Sequence, residues 1–367
     1  PMRRSPSPSR RTFLKGSLAL ASLASTRAQA ADAADAADAA DADLAFFVIS
    51  DTHYLAPADD PSALDPHILA VNRRAIDTLN SLPGQQLPAE LGGGRVKPAR
   101  GVIHLGDMID SGDKGSGDLS RLRQETEWQA YTADFGLSGT EGKLKLPIYE
   151  VHGNHDSVNE TNIVISSMLE RNRSRPDVSH ISSSGLHYSW DWAGIHFVAL
   201  GIVVGHNGQD LPVGRYKAHD SLQFLTKDLA EKVGDSGQPV VLLHHIDLLR
   251  YSKECGPDSE RGGEWSACDV AAYHRAIQPY KVAAIFHGHL HGRRTDHWDG
   301  TPTSVAPGEG IPVFGCSNTG AGGGNRGLFY CCVEGDKLVV REYSSLRTPE
   351  GWAEDSTSWT GIWKVAL

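Results

Sequence analysis

The segment IFHGHLHG, residues 285–292, sets His287, His289 and His291 at alternate positions directly behind the apolar run KVAAIF. Side chains of an extended chain alternate between two faces, so the three imidazoles are expected to project together and to offer nitrogen donors to a metal ion. One such run among 17 histidines needs donors elsewhere. They are present as Asp51 and His53 in SDTHY, Asp107 and Asp110 in LGDMID, Asn154, His155 and Asp156 in HGNHD, and the pair His244-His245.

Each block follows a short apolar stretch bounded by Gly or Pro. LAFFVIS (44–50), RGVIHLG (100–106), LPIYEVHG (146–153), PVVLLHH (239–245) and KVAAIFHG (281–288) read as buried strands, with helix-period segments at 62–82, 120–135 and 219–233 between them. This is a layered α/β pattern. LHYSWDWAGIHFVALG, turning at 191–194, and LFYCCVEGDKLVVREY, turning at Gly335-Asp336, add hairpins, which implies two packed sheets with helices outside. Five strands thus carry oxygen or nitrogen donors at their C-terminal ends, where open α/β sheets place their sites.

The chain has 367 residues, 40% hydrophobic and 22% charged, enough for one large core or two modest ones. No apolar run after residue 50 reaches the roughly 18 residues of a membrane span, so no stable membrane insertion is expected. Setting aside the six basic residues before position 31 leaves 29 Lys and Arg against 45 Asp and Glu, a balance of −16. A nucleic-acid polymer is therefore not an expected partner. An anionic substrate would need local positive charge, which bound cations supply.

At the N-terminus, SRRTFLK is followed by GSLALASLA, Arg27 and AQA at 28–30. The pair Arg10-Arg11, Phe13 and Leu14, a weakly apolar stretch and a small-residue cleavage site resemble a twin-arginine export signal. The resemblance implies passage through the twin-arginine translocation machinery and a periplasmic or secreted location. Residues 1–30 are read as the signal, 31–43 (ADAADAADAADAD) as a low-complexity linker, and 44–367 as the catalytic domain. Five cysteines in an exported chain suggest disulfides with at least one left over. Cys255 and Cys268 bracket a Gly-rich segment and make a plausible staple, while only one of Cys331 and Cys332 can reach Cys316.

In chain order, Asp-x-His, Gly-Asp-x-x-Asp, Gly-Asn-His-Asp, a strand-terminal His and Gly-His-x-His resemble the calcineurin-like metallophosphoesterases. The resemblance spans residues 51–291 and implies a four-layer αββα sandwich with two mixed sheets, the metal site lying at the C-terminal ends of the strands. It further implies that Asp51, His53 and His291 hold one metal, that Asn154, His244 and His289 hold the other, and that Asp107 bridges them. Carboxylate and amide oxygens mixed with imidazole suit two divalent ions such as Mn, Fe, Zn or Co. Asp110 stands where purple acid phosphatases carry their iron-binding tyrosine, which disfavours ferric chemistry of that kind. His155 is implied as general acid or transition-state donor, oriented by Asp110, and Asp156 as a stabiliser of its turn.

Two dications can clamp a phosphate and turn a bridging water into hydroxide near neutral pH. The implied activity is hydrolysis of a small phosphoester, a phosphodiester first and a phosphomonoester second; the alternative of another class is a scaffold that binds metal without turnover. Outside the motifs, His104 and His152 are read as core histidines, His287 as a residue that supports the ligands or packs its strand, and the segments 203–216, 251–269 and 298–310 as a rim. Trp265 is then available to stack on substrate and Arg326 to contact phosphate.

Overall fold

LAFFVIS forms β1 (Ala45–Ile49), a strand buried on both faces. Phe46 and Val48 enter one apolar layer and Phe47 and Ile49 the next, as a pleated strand between two cores must arrange them. The computed structural model describes residues 44–158, 161–206, 215–251, 264–320, 325–348 and 351–367, all within the unit Leu44–Leu367. The signal and linker expected at 1–43 lie outside them.

β1, β2 (Val102–His104), β3 (Ile148–Glu150), β11 (Arg326–Glu334), β12 (Lys337–Ser345) and β13 (Thr357–Ala366) form one sheet in the order β13-β12-β11-β1-β2-β3. β4 (His180–Ile181), β5 (Tyr188–Trp192), β6 (Ile195–Ala199), β7 (Val240–Leu243), β8 (Val282–His287), β9 (Arg294–Trp298) and β10 (Ile311–Gly315) form the other, ordered β4-β5-β6-β7-β8-β10-β9. Both are mixed. β1-β2-β3 and β6-β7-β8-β10 run parallel, and antiparallel strands extend them. The first expected hairpin closes through Ala193 and Gly194, both left-handed (φ 51° and 70°), since Trp192 pairs with Ile195.

Helices α1 (Pro66–Ser81), α2 (Asp118–Phe135), α3 (Asn154–Ser157) and α4 (Ile163–Ser174) follow strands of the first sheet, and α5 (Ser221–Asp228) and α6 (Ala267–Ile277) belong with the second. α1 begins where Asp65 accepts the N–H groups of His67 and Ile68, with Pro66 at its first position. Its Val71, Ala75, Ile76 and Leu79 pack with Trp128, Tyr131 and Phe135 of α2 on the Phe47 face of the first sheet. Phe46, Trp190, Phe197, Leu243 and Phe286 fill the layer between the sheets, and Leu225, Val270 and Tyr273 cover Val240 and Leu242 on the far face of the second. Three apolar layers separating four structural ones make the αββα sandwich. Among the described residues no helix is long and apolar enough to cross a membrane.

The cysteines depart from expectation. Cys316, Cys331 and Cys332 are free and buried, and Cys316 Sγ lies 3.7 Å from Val48 O. Cys268 is disulfide-bonded; its expected partner Cys255 lies outside the described residues.

Candidate metal centre

The motif loops close on one another through backbone bonds. Asp51 N–H donates to Gly106 O (2.9 Å), His53 N–H to Asp107 O (3.0 Å) and Gly288 N–H to His245 O (3.0 Å). Asp156 does for two motifs what its place in the sequence suggested for one turn. Its carboxylate accepts N–H bonds from Gly153 (2.7 Å), Asp107 (3.0 Å), Met108 (2.9 Å) and Ile109 (3.1 Å), stitching GNHD to GDMID. Burial first, and then the charge of Asp107, raises Asp156 to about 6 against those bonds. Gly153 and Gly288 are required by contact: a side chain at either would collide with Asp107 or with Ser50 and Asp51.

Five candidate ligands sit in the left-handed region that ordinary residues avoid: Asp51 (φ 55°), His53 (44°), Asp107 (56°), His289 (71°) and His291 (54°). Each costs on the order of 1–3 kcal/mol. This overturns the alternation expected for the three histidines. β8 ends at His287, and His289 and His291 reach the site from the turn beyond it. His287 points elsewhere, its Nδ1 3.0 Å from Gly288 O and its ring parallel to that of His244 at 6.4 Å.

Asp51, His53, Asp107 and His291 converge as one donor group, and Asp107, His245 and His289 as another. In the first, His291 Nε2 lies 3.3 Å from Asp51 Oδ1 and 3.0 Å from His53 Nε2, which is itself 3.8 Å from Asp51 Oδ1 and from Asp107 Oδ2. In the second, His245 Nε2 lies 3.0 Å from Asp107 Oδ2 and 3.2 Å from Asn154 Oδ1. Asp107 belongs to both.

His245 therefore stands where His244 was expected. On β7, Val241 and Leu243 face the layer between the sheets and Val240 and Leu242 face the helices; the same phase carries His245 to the site and His244 away. His244 is fully buried between Trp265 (5.2 Å) and Tyr273 (5.8 Å), neither ring nitrogen is hydrogen-bonded, and burial drives its pKa far down. The Nδ1–H of His245 donates to Leu105 O (2.6 Å), which leaves Nε2 as the nitrogen facing Asp107 and Asn154.

His155 reaches the edge of the cluster, its backbone N–H on Asp107 Oδ1 (2.8 Å) and its ring 4.9 Å from that of His53. Asp110 meets it differently from the expected way. Asp110 offers its backbone oxygen to His155 Nδ1 (3.1 Å), while its carboxylate faces His53 Nδ1 (3.3 Å) and Lys114. The carboxylate on His155 is Asp113 (3.2 Å), which no motif marked. A second unmarked carboxylate, Glu264, lies 3.0 Å from His289 Nε2. Trp265 is buried core rather than rim, and Arg326 is buried on the carbonyls of Gly320 and Thr348. His104 is a core histidine between Thr52 Oγ1 and the Gly106 N–H, and burial lowers it to about 3.

The donor set fits cations. Asp51 and Asp107 are buried, and among the described residues neither pairs with Lys or Arg. Asp51 Oδ1, Asp107 Oδ2 and His53 Nδ1 have no hydrogen-bond partner. Buried carboxylates in this state need positive charge. Burial lowers the basicity of His53 and His245, yet the surrounding carboxylates outweigh it, raising His53 to about 10 and His245 to about 9; the negative field that does this also attracts a divalent ion, which would displace those protons.

A family model described as calcineurin-like phosphoesterase matches residues 44–293. Among solved structures, the chain is similar to PhoD at 12% identity and a TM-score of 0.46, covering 87% of this chain and 72% of that one. It is also similar to the calcineurin-like phosphoesterase YfkN from Bacillus subtilis at 14% identity and a TM-score of 0.36, covering 88% and 90%. A metallophosphoesterase from Sphaerobacter thermophilus follows at 13% identity and a TM-score of 0.29, covering 80% and 84%. No curated protein matches the sequence.

Proposed function

This chain belongs to the calcineurin-like phosphoesterases and is a hydrolase of phosphoester bonds, and from that premise we propose that it cleaves phosphodiesters at a centre of two divalent cations. Asp51, His53, Asp107 and His291 would hold one, and Asp107, Asn154, His245 and His289 the other. When bound, such ions neutralise phosphate oxygens and make water a nucleophile near neutral pH. The observation that carries the reading is the sharing of Asp107 between two donor groups.

The protein's own groups do the rest. The Nδ1–H of His155 is held between Asp110 O and Asp113, so Nε2 is the nitrogen free to face the leaving oxygen and to deliver a proton or hydrogen bond to it. Carboxylates support the preference for diesters. Asp110 and Asp113, with Lys114 alone against them, border the donors beside His155, so a diester monoanion meets less repulsion there than a monoester dianion. Turnover of bis-p-nitrophenyl phosphate and of p-nitrophenyl phosphate by the metal-loaded protein tests this. Faster cleavage of the diester is expected, and the reverse order would make the protein a phosphomonoesterase.

Export in the folded state by the twin-arginine machinery, to the periplasm or beyond, is part of the same proposal and rests on Arg10-Arg11 and the residues behind it. A reporter fused to residues 1–35 should lose export when both arginines become lysine.

A further inference from the structure

The metal centre has two flanks of opposite charge. On the His155 side stand Asp110 and Asp113 with Lys114, whose ammonium is engaged by Asp110. Two carboxylates against one cation make the described residues of this flank net negative. Beyond His289 the order is reversed. Among the described residues Glu264 alone faces Arg250, Nε to Oε2 at 3.2 Å, and Arg215, Nη1 to Oε1 at 3.8 Å. Two guanidiniums against one carboxylate make the described residues of that flank net positive.

The arginines approach from separate segments and are not consumed by Glu264. Arg250 is in ion-pair contact with it through Nε, and its side chain is 43% exposed; Arg215 is 66% exposed, with its guanidinium 5.2 Å from the ring centre of the buried Tyr216. A guanidinium held by one edge keeps other N–H groups in a fixed fork for an oxyanion. In a chain of net charge −10, a paired excess of positive charge beside the reacting centre is a local feature of the rim. Glu264 couples the two, since its other contact is His289 Nε2 at 3.0 Å.

We propose that Arg215 and Arg250 form a subsite for a second anionic group, a carboxylate or phosphate, carried on the retained side of the phosphodiester, while the flank of Asp110 and Asp113 takes a neutral or cationic leaving alcohol. The inference rests on the diesterase reading and specifies its substrate class: a diester whose two alcohols differ in charge. Cleavage adds water across the leaving P–O bond. The hydroxyl remains on phosphorus, the proton goes to the departing alcohol, and the anion-bearing alcohol stays esterified.

Two probes with a common leaving group separate the flanks: p-nitrophenyl 2-carboxyethyl phosphate, with an anionic retained group, and p-nitrophenyl phosphorylcholine, with a cationic one. The ratio of kcat/KM, carboxyethyl over choline, should be about tenfold or more in the metal-loaded wild type. It should fall towards one in the Arg215→Gln/Arg250→Gln double variant and persist in Arg215→Lys/Arg250→Lys, which keeps the charge. A wild-type ratio of one or less, or a ratio unchanged by the glutamines, overturns the subsite while leaving the diesterase reading intact. Hydrolysis of p-nitrophenyl phosphate with neither diester cleaved refutes the diesterase reading and the subsite with it.

Discussion

Among the described residues, two networks of histidine and aspartate invite comparison. They differ in what their polar atoms do. At the edge of the second sheet, Asp228 accepts from Ser189 Oγ (2.7 Å) and pairs with His180 Nδ1 (2.7 Å) and His196 Nε2 (2.7 Å), and the other nitrogen of His196 meets Asp191 (3.0 Å). Every one of these residues lies on a strand or at a helix end, and none has a positive φ. At the strand ends of the sandwich, the residue types are the same, but Asp51 Oδ1 and Asp107 Oδ2 are left without hydrogen bonds and five residues are held in left-handed backbone. A cluster whose valences are closed holds the fold together. A cluster left open, on backbone that costs energy to hold, is built to receive something.

The largest test of this distinction is metal removal. Chelation followed by gel filtration should reduce turnover to background, with recovery on adding Mn, Zn, Fe or Co salts and no change around Asp228; turnover that survives with no bound metal would break the comparison. Next comes His155→Ala, expected to lower kcat by about 10²–10⁴ while metal content measured by elemental analysis stays unchanged. Loss of the metals together with activity would instead place His155 among the ligands.

The adjacent histidines sharpen the contrast within two residues. His245→Gln should weaken metal binding by about 10²-fold. His244→Phe, which replaces a ring with no hydrogen bond by an apolar one among Trp265 and Tyr273, should retain the metals and change stability by less than about 1.5 kcal/mol. Equal metal loss in both variants would contradict the phase assigned to β7.

The smallest effect belongs to the closed cluster. Burial lowers His196, but its bonds to Asp191 and Asp228 outweigh this and raise it to about 9 from an ordinary 6.5. A histidine protonated more readily in the folded than in the unfolded state stabilises fully below pH 6.5, and that contribution is lost as pH rises through about 9. Denaturant melts across this window should lose on the order of 2 kcal/mol in the wild type. In His196→Gln the slope should flatten, with kcat unchanged.

Much of the site was legible in the residues because its chemistry is local. SDTHY, LGDMID, HGNHD and GHLHG each carry their donors within a few positions, and apolar runs mark the strands that precede them. Asp113 and Glu264 were not legible, since a carboxylate in a polar loop has no pattern until a ring comes to rest against it. The disulfide expected of Cys316 failed for a related reason: sharing a core layer with Cys331 does not by itself bring two sulfurs to bonding distance.

The sequence by itself determined the layered α/β class, the five strand-end blocks and the kinds of donor they bring, because side-chain period and donor type are properties of short segments. The tertiary structure decided which of His244 and His245 faces the neighbouring sheet, which carboxylate meets His155, and how His289 and His291 come together past the end of their strand. Those outcomes depend on the register and packing of elements far apart in the chain, and on backbone strain that only the surrounding contacts can hold.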